Sequence, residues 1–352
     1  MNKRFLSFSF LIVIFVISCT KTTPTTTTNI DSLNRNILTS IAYHVCEASY
    51  TQMYNRAIAL EDAALALQAS TNDANLTACK TAWKDVRFTW ETTESWLFGP
   101  ISANNIDPRI DTWPVDFTAI DSVLNTANPL TEAYIDNLED ALKGFHPVEY
   151  FLWGAAGNKI AADFTPRQLE YLVALTHNLS KLSKEVYDTW KNSYTHELSI
   201  AGSGSAAYPT KTSAFVEIVD AMAGICDEVA NGKMNGPLVA QDPMLEESPF
   251  SKNSIIDFTQ NIQGVLIIYT GNYNGNEKFG LEDLVREYNT ALDQEIKSAH
   301  GAAIAALNNI TLPFGEAIIS QPILVQNAID KINVLEETLD TKLKPFLQQY
   351  GK

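Results

Sequence analysis

The stretch from Asp31 to Ala69 most constrains the fold, because it contains neither proline nor glycine and is dominated by strong helix formers. Its first apolar residues recur at spacings of three and four, which places them on one helical face. They are Leu33, Ile37, Ile41 and Val45. We predict one long helix here, or two helices with a slight break. Since later stretches do not alternate for long enough to predict a strand, the chain is expected to be all-α.

Further helices are predicted on both sides of a Gly/Ser-rich break at residues 202–209. Before the break, a helix over 75–97 stops at Phe98-Gly99-Pro100, and another starts at Pro166 and runs to about His196. After the break, helices are predicted at 212–231, 281–309, 313–321 and 324–350. We predict two helical-bundle domains side by side, residues 30–200 and 210–352, joined by a flexible linker.

The first 29 residues have the pattern of an export signal and a tether. Residues 1–19 combine a positive start with a short apolar run, and they end at Cys19 in a sequence that resembles a lipoprotein lipobox. The Thr-rich residues 20–29 are too polar to form a packed element. We expect acylation of Cys19 and a lipid anchor on a membrane. Lys21 and Thr22 favour the outer membrane, and we expect the protein to face the periplasm, with the cell surface as the other orientation. The alternative is a plain signal peptide with an incidental cysteine.

Composition limits the partners. The chain has 352 residues, 45% of them hydrophobic, which is enough for two domains with proper cores. Its net charge of −16 argues against nucleic acid as a partner, because phosphates require Lys and Arg. The same charge is compatible with cationic partners or simply with solubility. Beyond Cys19, two of the three remaining cysteines, Cys46 and Cys79, fall in successive predicted helices and would bridge only if these pack antiparallel.

A histidine and a carboxylate lie three residues apart in the segment Gly144-Phe145-His146-Pro147-Val148-Glu149. Proline is favoured at the first position of a helix, so we predict that His146 is the N-cap and Glu149 the third helical residue. Residues three apart share a helical face, which brings the imidazole and the carboxylate into one volume. The spacing is also that of a capping box, so a purely structural role is the alternative.

Three other segments supply candidate site residues. Arg87, Glu91 and Glu94 share one helical face, although Glu91 also fits an exposed ion-pair stripe. Residues 101–117 form a long irregular connection that contains Asp111, and such loops are often functional. In a second irregular segment, Ser251 is predicted to cap a helix that carries Asp257 in its first turns.

These motifs resemble those of the imelysin family, exported bacterial proteins linked to iron uptake and once classed as metallopeptidases. Gly144, His146 and Glu149 match its Gly-x-His-x-x-Glu signature. Arg87 and Glu94 resemble a family motif that precedes Phe-Gly-Pro. Three further segments resemble family motifs: Ile106-Asp107, Asp111-Thr112-Trp113-Pro114, and Glu247-Ser248 followed by Ser251. The resemblance covers nearly the whole mature chain and implies a part in iron acquisition, with iron-transport components as partners.

Three functions are weighed. In the first, His146, Glu149 and Glu94 bind a divalent or trivalent metal ion, iron or zinc, while Arg87, Asp111, Ser251 and Asp257 complete a ligand cleft between the domains. In the second, the chain is a zinc peptidase that uses the His-x-x-Glu pair. The His-Glu-x-x-His pattern is absent, and Tyr150 stands where the inverted pattern requires a second histidine. In the third, the protein is a structural, carbohydrate-binding or protein-binding surface lipoprotein without a metal, and His146 only caps a helix.

Overall fold

The computed structural model describes residues 29–352, and these residues are helical apart from loops and one small hairpin. The predicted signal segment, most of the tether and Cys19 lie outside the described residues. The all-α prediction is confirmed. Within residues 29–352, the helices are each too short or too polar to cross a membrane.

From residue 29 onward, the first half of the chain has ten α-helices and contains the predicted long helix. Residues 30–69 are continuously helical, with a wider π-helical segment at Ile41–Glu47. A second π-helical segment at Trp190–Tyr194 joins α9 to α10. The bounds are α1 Ile30–Ser40, α2 Ala48–Ala69, α3 Asp73–Thr93, α4 Pro100–Ala103, α5 Ile106–Asp111, α6 Phe117–Leu124, α7 Glu132–Asp136, α8 Phe145–Trp153, α9 Pro166–Thr189 and α10 Thr195–Ser199.

The core of this half lies where α2, α3 and α9 pack side by side. Local sequence fixes their starts: the Asn72 side chain accepts from the Asn75 amide before α3, and Thr165 forms a capping box with Gln168 before α9. Aromatic side chains in and next to these helices bury much apolar surface, both in this core and against α8. Those with no exposed surface include Tyr50, Trp83, Trp90, Trp96 and Trp190.

Two local predictions are wrong in this half. The connection 101–117 was expected to be irregular, but it contains α4's end and α5, which position Asp111 at a helix terminus. His146 does not cap α8: the cap is Gly144, and His146 is the second helical residue. Gly144 has φ +84°, and a β-carbon there would collide with the Ile110 carbonyl. Only glycine therefore allows α8 to approach α5 this closely.

The second half contains eight α-helices and a two-stranded antiparallel hairpin, β1 Asn272–Tyr273 and β2 Asn276–Glu277. The π-helical segments Glu228–Met234 and Leu339–Leu343 follow α11 and α17. The bounds are α11 Lys211–Asp227, α12 Asn235–Ala240, α13 Ser254–Thr270, α14 Leu281–Tyr288, α15 Thr290–Asn308, α16 Phe314–Ser320, α17 Pro322–Thr338 and α18 Lys344–Tyr350.

The two halves contact each other along α3 and α13. The two halves are in close contact at Gly264, where a β-carbon would overlap the Thr92 carbonyl and the Ser95 side chain. The break predicted as a flexible linker is a hydrogen-bonded turn, in which Gly202 N donates to Tyr208 O at 3.0 Å. Cys46, Cys79 and Cys226 are buried and free, so Cys46 and Cys79 form no bridge.

Candidate metal centre between the two halves

Arg87 lies at the centre of a buried polar cluster between the halves, and none of its surface is exposed. Its guanidinium is paired with Asp111 from α5, with Glu91 one turn along α3 and with Glu247, 2.5 Å away, from the loop before α13. Asp257 of α13 is 3.8 Å from Arg87 Nε. Burial disfavours the charged form, but these carboxylates outweigh it and raise the pKa of Arg87 well above its ordinary value.

His146 extends from the first turn of α8 toward the same carboxylates. Its Nε2 is 3.1 Å from Asp111 Oδ1 and 3.7 Å from Glu247 Oε1, and its Nδ1 is 3.6 Å from Glu149 Oε2. Among the residues described, neither ring nitrogen finds a well-directed hydrogen-bond partner. Burial lowers the pKa of His146, but the Asp111 and Glu149 carboxylates outweigh it and raise the pKa to about 9.

Glu149 connects the halves through Ser251. Its Oε1 accepts from the Ser251 amide at 2.7 Å and from the Ser251 hydroxyl at 2.6 Å. Its Oε2 is buried and has no hydrogen-bond partner within residues 29–352. The prediction that Ser251 caps a helix is wrong, because α13 begins at Ser254 and Asn253 precedes it. Ser251 instead holds one oxygen of Glu149 and leaves the other free.

Glu94 lies next to Lys233 from the π-helical segment Glu228–Met234. Glu94 Oε2 accepts from Lys233 Nζ at 2.9 Å and from Asn261 Nδ2 at 2.6 Å. Burial raises the pKa of Glu94 to about 8, although Lys233 opposes this shift. Glu91, predicted as part of an exposed ion-pair stripe, is fully buried in this cluster. Burial raises its pKa well above the ordinary value in spite of Arg87.

Asp257 is placed in the cluster as predicted, but its oxygens already have partners. Its Oδ2 accepts from Ser248 Oγ at 2.6 Å, and its Oδ1 accepts from Asn253 Nδ2 at 2.7 Å. Burial raises the pKa of Asp257 to about 6. The arrangement suits a residue that orients Arg87 and the loop before α13.

Two groups of three side chains could each hold a metal ion, since their ligand atoms lie within 4.8 Å of one another: Asp111, His146 and Glu247, and Glu91, Glu94 and Asp111. Asp111 is common to both. The sequence-predicted set of His146, Glu149 and Glu94 is therefore divided, because Glu94 belongs to the second group and Glu149 contacts His146 from outside the first.

Sequence reasoning missed Glu247, Lys233 and Asn261 as site residues. Glu247 lies beside Ser248 in a motif that the sequence analysis recognised, so the motif could have predicted its carboxylate as a site residue. Glu91 lies four residues after Arg87, and this spacing fits an ion pair on a buried helix face as well as one on an exposed face. Lys233 and Asn261 carry no local signal, because their positions depend on how the second half packs against α3.

Comparisons with known proteins show which family this chain belongs to. The family model Peptidase_M75, described as Imelysin, matches residues 46–341. Iron-regulated protein A of Synechococcus elongatus is 30% identical over 309 residues, which are 85% of this chain and 83% of that protein.

Two solved structures share the fold. A protein from Parabacteroides distasonis described as an iron-regulated protein A precursor superposes with a TM-score of 0.81 at 22% identity, covering 91% of this chain and 95% of that one. An imelysin-like protein from Psychrobacter arcticum gives a TM-score of 0.72 at 13% identity, covering 90% and 96%. The family match and the identity to the Synechococcus protein together establish that this chain belongs to the imelysin family.

Proposed function

We propose that the buried cluster binds a metal cation, iron or zinc, and that the protein acts in iron acquisition. The observation that supports this most directly is the convergence of Asp111, His146 and Glu247 around one volume, with ligand atoms within 4.8 Å of one another. A mixture of imidazole and carboxylate donors suits Fe²⁺, Fe³⁺ and Zn²⁺.

The unpaired atoms of the cluster also fit a cation. Buried polar atoms normally have hydrogen-bond partners, because leaving one unpaired costs about 1–3 kcal/mol. Within residues 29–352, both ring nitrogens of His146 and Oε2 of Glu149 lack such a bond. An ionised carboxylate is an electron-pair donor, and so is one ring nitrogen of an imidazole that has lost its extra proton. A cation that displaces this proton would therefore satisfy atoms that the protein leaves unpaired.

Charge supports the same proposal. Six carboxyl groups surround three basic side chains: Glu91, Glu94, Asp111, Glu149, Glu247 and Asp257 around Arg87, Lys233 and His146. Burying unbalanced charge is expensive, so the excess carboxylates require protons or a further cation. A bound metal ion would supply the positive charge that the protein's own basic residues do not.

We assign Asp111, His146 and Glu247 as the primary ligands and Glu149 as the residue that orients His146. Glu91 and Glu94 form, with Asp111, the second group that could receive a cation. Arg87 positions Asp111 and Glu247, while Ser251 and Asp257 fix the loop of the second half that carries Glu247.

The link to iron comes from the relatives. The Synechococcus relative is named for regulation by iron, and the family match covers most of this chain. We extend this to a role in iron acquisition, with the protein held by lipid at Cys19 on the periplasmic side of the outer membrane and working with iron-transport components.

The test is metal titration of the purified protein and of two histidine variants. Calorimetry with Zn²⁺, with Fe²⁺ under anaerobic conditions and with Fe³⁺-citrate should show binding that His146→Ala abolishes. The matched control is His196→Ala, because His196 is exposed and distant from the cluster in the fold; it should bind like wild type. Binding that survives in His146→Ala contradicts the proposal.

A protease assay on the same samples tests the alternative that the protein is a zinc peptidase. His146 and Glu149 have no exposed surface, so a polypeptide has no access to them in this conformation. We expect casein to remain intact with or without EDTA. Cleavage that EDTA abolishes would favour the zinc peptidase instead.

A further inference from the structure

A cavity of 740 Å³ lies between the halves, on the faces of α3 and α13 that point away from the acidic cluster. Phe88, Thr89 and Thr92 line it from α3, whereas Arg87, Glu91 and Glu94 of the same helix point into the cluster. The hairpin β1–β2 and parts of α2, α14 and α15 close the other sides. This volume is within the range of small-molecule binding sites.

The charges of this cavity are balanced, unlike those of the cluster. Its basic side chains are Arg286 and Lys297, and both pair with Glu282, at 3.0 Å and 2.5 Å. Glu277 is the other acidic lining residue, and it is exposed on the hairpin. Because the basic groups are already paired, the cavity offers little to an ionised ligand.

Uncharged hydrogen-bonding groups make up much of the remaining lining. Gln263 forms no side-chain hydrogen bond to any group in residues 29–352, and Gln260 is contacted only weakly, by Thr92 at 3.4 Å. Asn272 Oδ1 is buried and unpaired within the same residues. Amides offer both donors and acceptors, so these groups can bond to hydroxyl-rich ligands.

An apolar surface lies beside these amides. Phe88 keeps 43% of its surface exposed although it is a large aromatic residue on a packed helix. Leu266 and Ile267 of α13 and the ring of Tyr273 on the hairpin continue this surface into the cavity. Aromatic faces next to amides suit a ligand that has both an apolar face and many hydroxyl groups.

From this combination we propose that the cavity binds a neutral saccharide, with the C–H face of a sugar ring on Phe88 and its hydroxyls on Gln260, Gln263 and Asn272. This site is distinct from the metal centre and does not depend on it. Both lie against the same pair of helices, on opposite faces.

The experiment screens the purified protein against an immobilised panel of neutral and sialylated oligosaccharides, followed by calorimetry with the best neutral one in solution. We expect binding to neutral members in preference to sialylated ones. Phe88→Ala and Gln263→Leu should each weaken binding at least tenfold. Two controls remove similar groups outside the cavity: Phe279→Ala, since Phe279 is 44% exposed, and Gln68→Leu, at an exposed position of α2.

The proposal predicts wild-type affinity in both controls and in His146→Ala. It is overturned if the panel shows no binding, if sialylated glycans are preferred, or if Phe88→Ala and Gln263→Leu bind as tightly as their controls. Circular dichroism of each variant confirms that a loss of binding is not a loss of fold.

Discussion

Ser251 donates two hydrogen bonds to the same carboxylate oxygen of Glu149, from its amide at 2.7 Å and from its hydroxyl at 2.6 Å. The two residues belong to different halves of the chain, so this contact ties the loop before α13 to α8. It also determines which oxygen of Glu149 remains free to face His146.

Removing the hydroxyl should therefore weaken the docking of the halves. Ser251→Ala keeps the amide bond but loses a bond to a charged group, and we expect a loss of about 2 kcal/mol in the free energy of unfolding. Urea denaturation measures it. Ser122→Ala, at an exposed position of α6, is the control and should change stability by less than about 0.5 kcal/mol. Equal losses would contradict a role for Ser251 in docking the two halves.

Arg87 should be the most costly of these residues to replace. Arg87→Met removes the cation and leaves Asp111, Glu91 and Glu247 buried without it, which should cost about 3–5 kcal/mol. The control is Arg35→Met, which also removes an arginine that pairs with an acidic residue on the same helix. Arg35 pairs with Asp31 at i,i+4, and both side chains are about half exposed. The replacement of Arg35 should lower the free energy of unfolding far less, because water screens an exposed pair. Thermal unfolding of both variants checks this, and similar shifts in the two would show that the buried network adds no stability.

The crossing of α3 and α13 should not tolerate a methyl group at Gly264. Gly264→Ala forces the helices apart at Thr92 and should destabilise the protein by about 1–3 kcal/mol. Gly224→Ala is the comparison, because Gly224 is also helical but has open space around it. Alanine favours a helix over glycine by about 1 kcal/mol, so this variant should be as stable as wild type or more so. Chemical denaturation measures the free energy of unfolding of both variants. The prediction is wrong if Gly264→Ala is as stable as Gly224→Ala.

His300 should make the protein less stable in mild acid. It is buried, its Nε2 is 3.1 Å from the Ile262 carbonyl, and burial lowers its pKa to about 4. The unfolded chain, with an ordinary pKa near 6.5, binds the proton first as pH falls. The contribution of neutral His300 to the free energy of unfolding is therefore fully present above pH 6.5. It is lost between about pH 6.5 and 4, and its size is on the order of 3 kcal/mol.

The measurement is the free energy of unfolding at pH 7 and at pH 4.5, for wild type and for His300→Gln. Glutamine can still donate to Ile262 but does not titrate. Carboxyl groups elsewhere contribute equally to both proteins, so the variant should lose less stability than wild type over this interval. Identical losses would mean that His300 takes up no proton on unfolding.

Metal binding should stabilise the folded chain. At 100 times the dissociation constant, a ligand that binds only the folded state adds about 2.7 kcal/mol. We expect Zn²⁺ to raise the unfolding temperature of wild type and to raise it much less in Glu247→Gln, where a primary ligand is neutral. Glu287→Gln, at an exposed position of α14, should behave like wild type. Differential scanning calorimetry with and without EDTA makes the comparison, and an equal shift in both variants would remove Glu247 from the site.

The fold was predictable because its signals are local. The proline- and glycine-free run before Ala69, the stop at Gly99-Pro100 and the capping box at Thr165 each define a helix without reference to other parts of the chain. The start of α8 was mispredicted by two residues because the proline rule was given more weight than Gly144, which has a positive φ and lies against Ile110.

The site was predictable only in part. Arg87, Asp111, His146 and Ser251 were found through recognisable motifs, and the structure brings them into one cluster. Glu91 was predicted to be exposed because a charged helix face does not reveal whether another part of the chain packs against it. Lys233 was missed because its position depends on a widened helical turn and on the docking of the two halves, neither of which leaves a pattern in neighbouring residues.

The cluster around Arg87 draws on α3, α5 and α8 from one half and on the Glu247 loop and α13 from the other. During synthesis the first three appear long before the last two. The centre thus comes into existence late in folding, after both parts have been made and have joined. An ion held there would have to be acquired by the finished chain and could not be picked up while the first half was still alone.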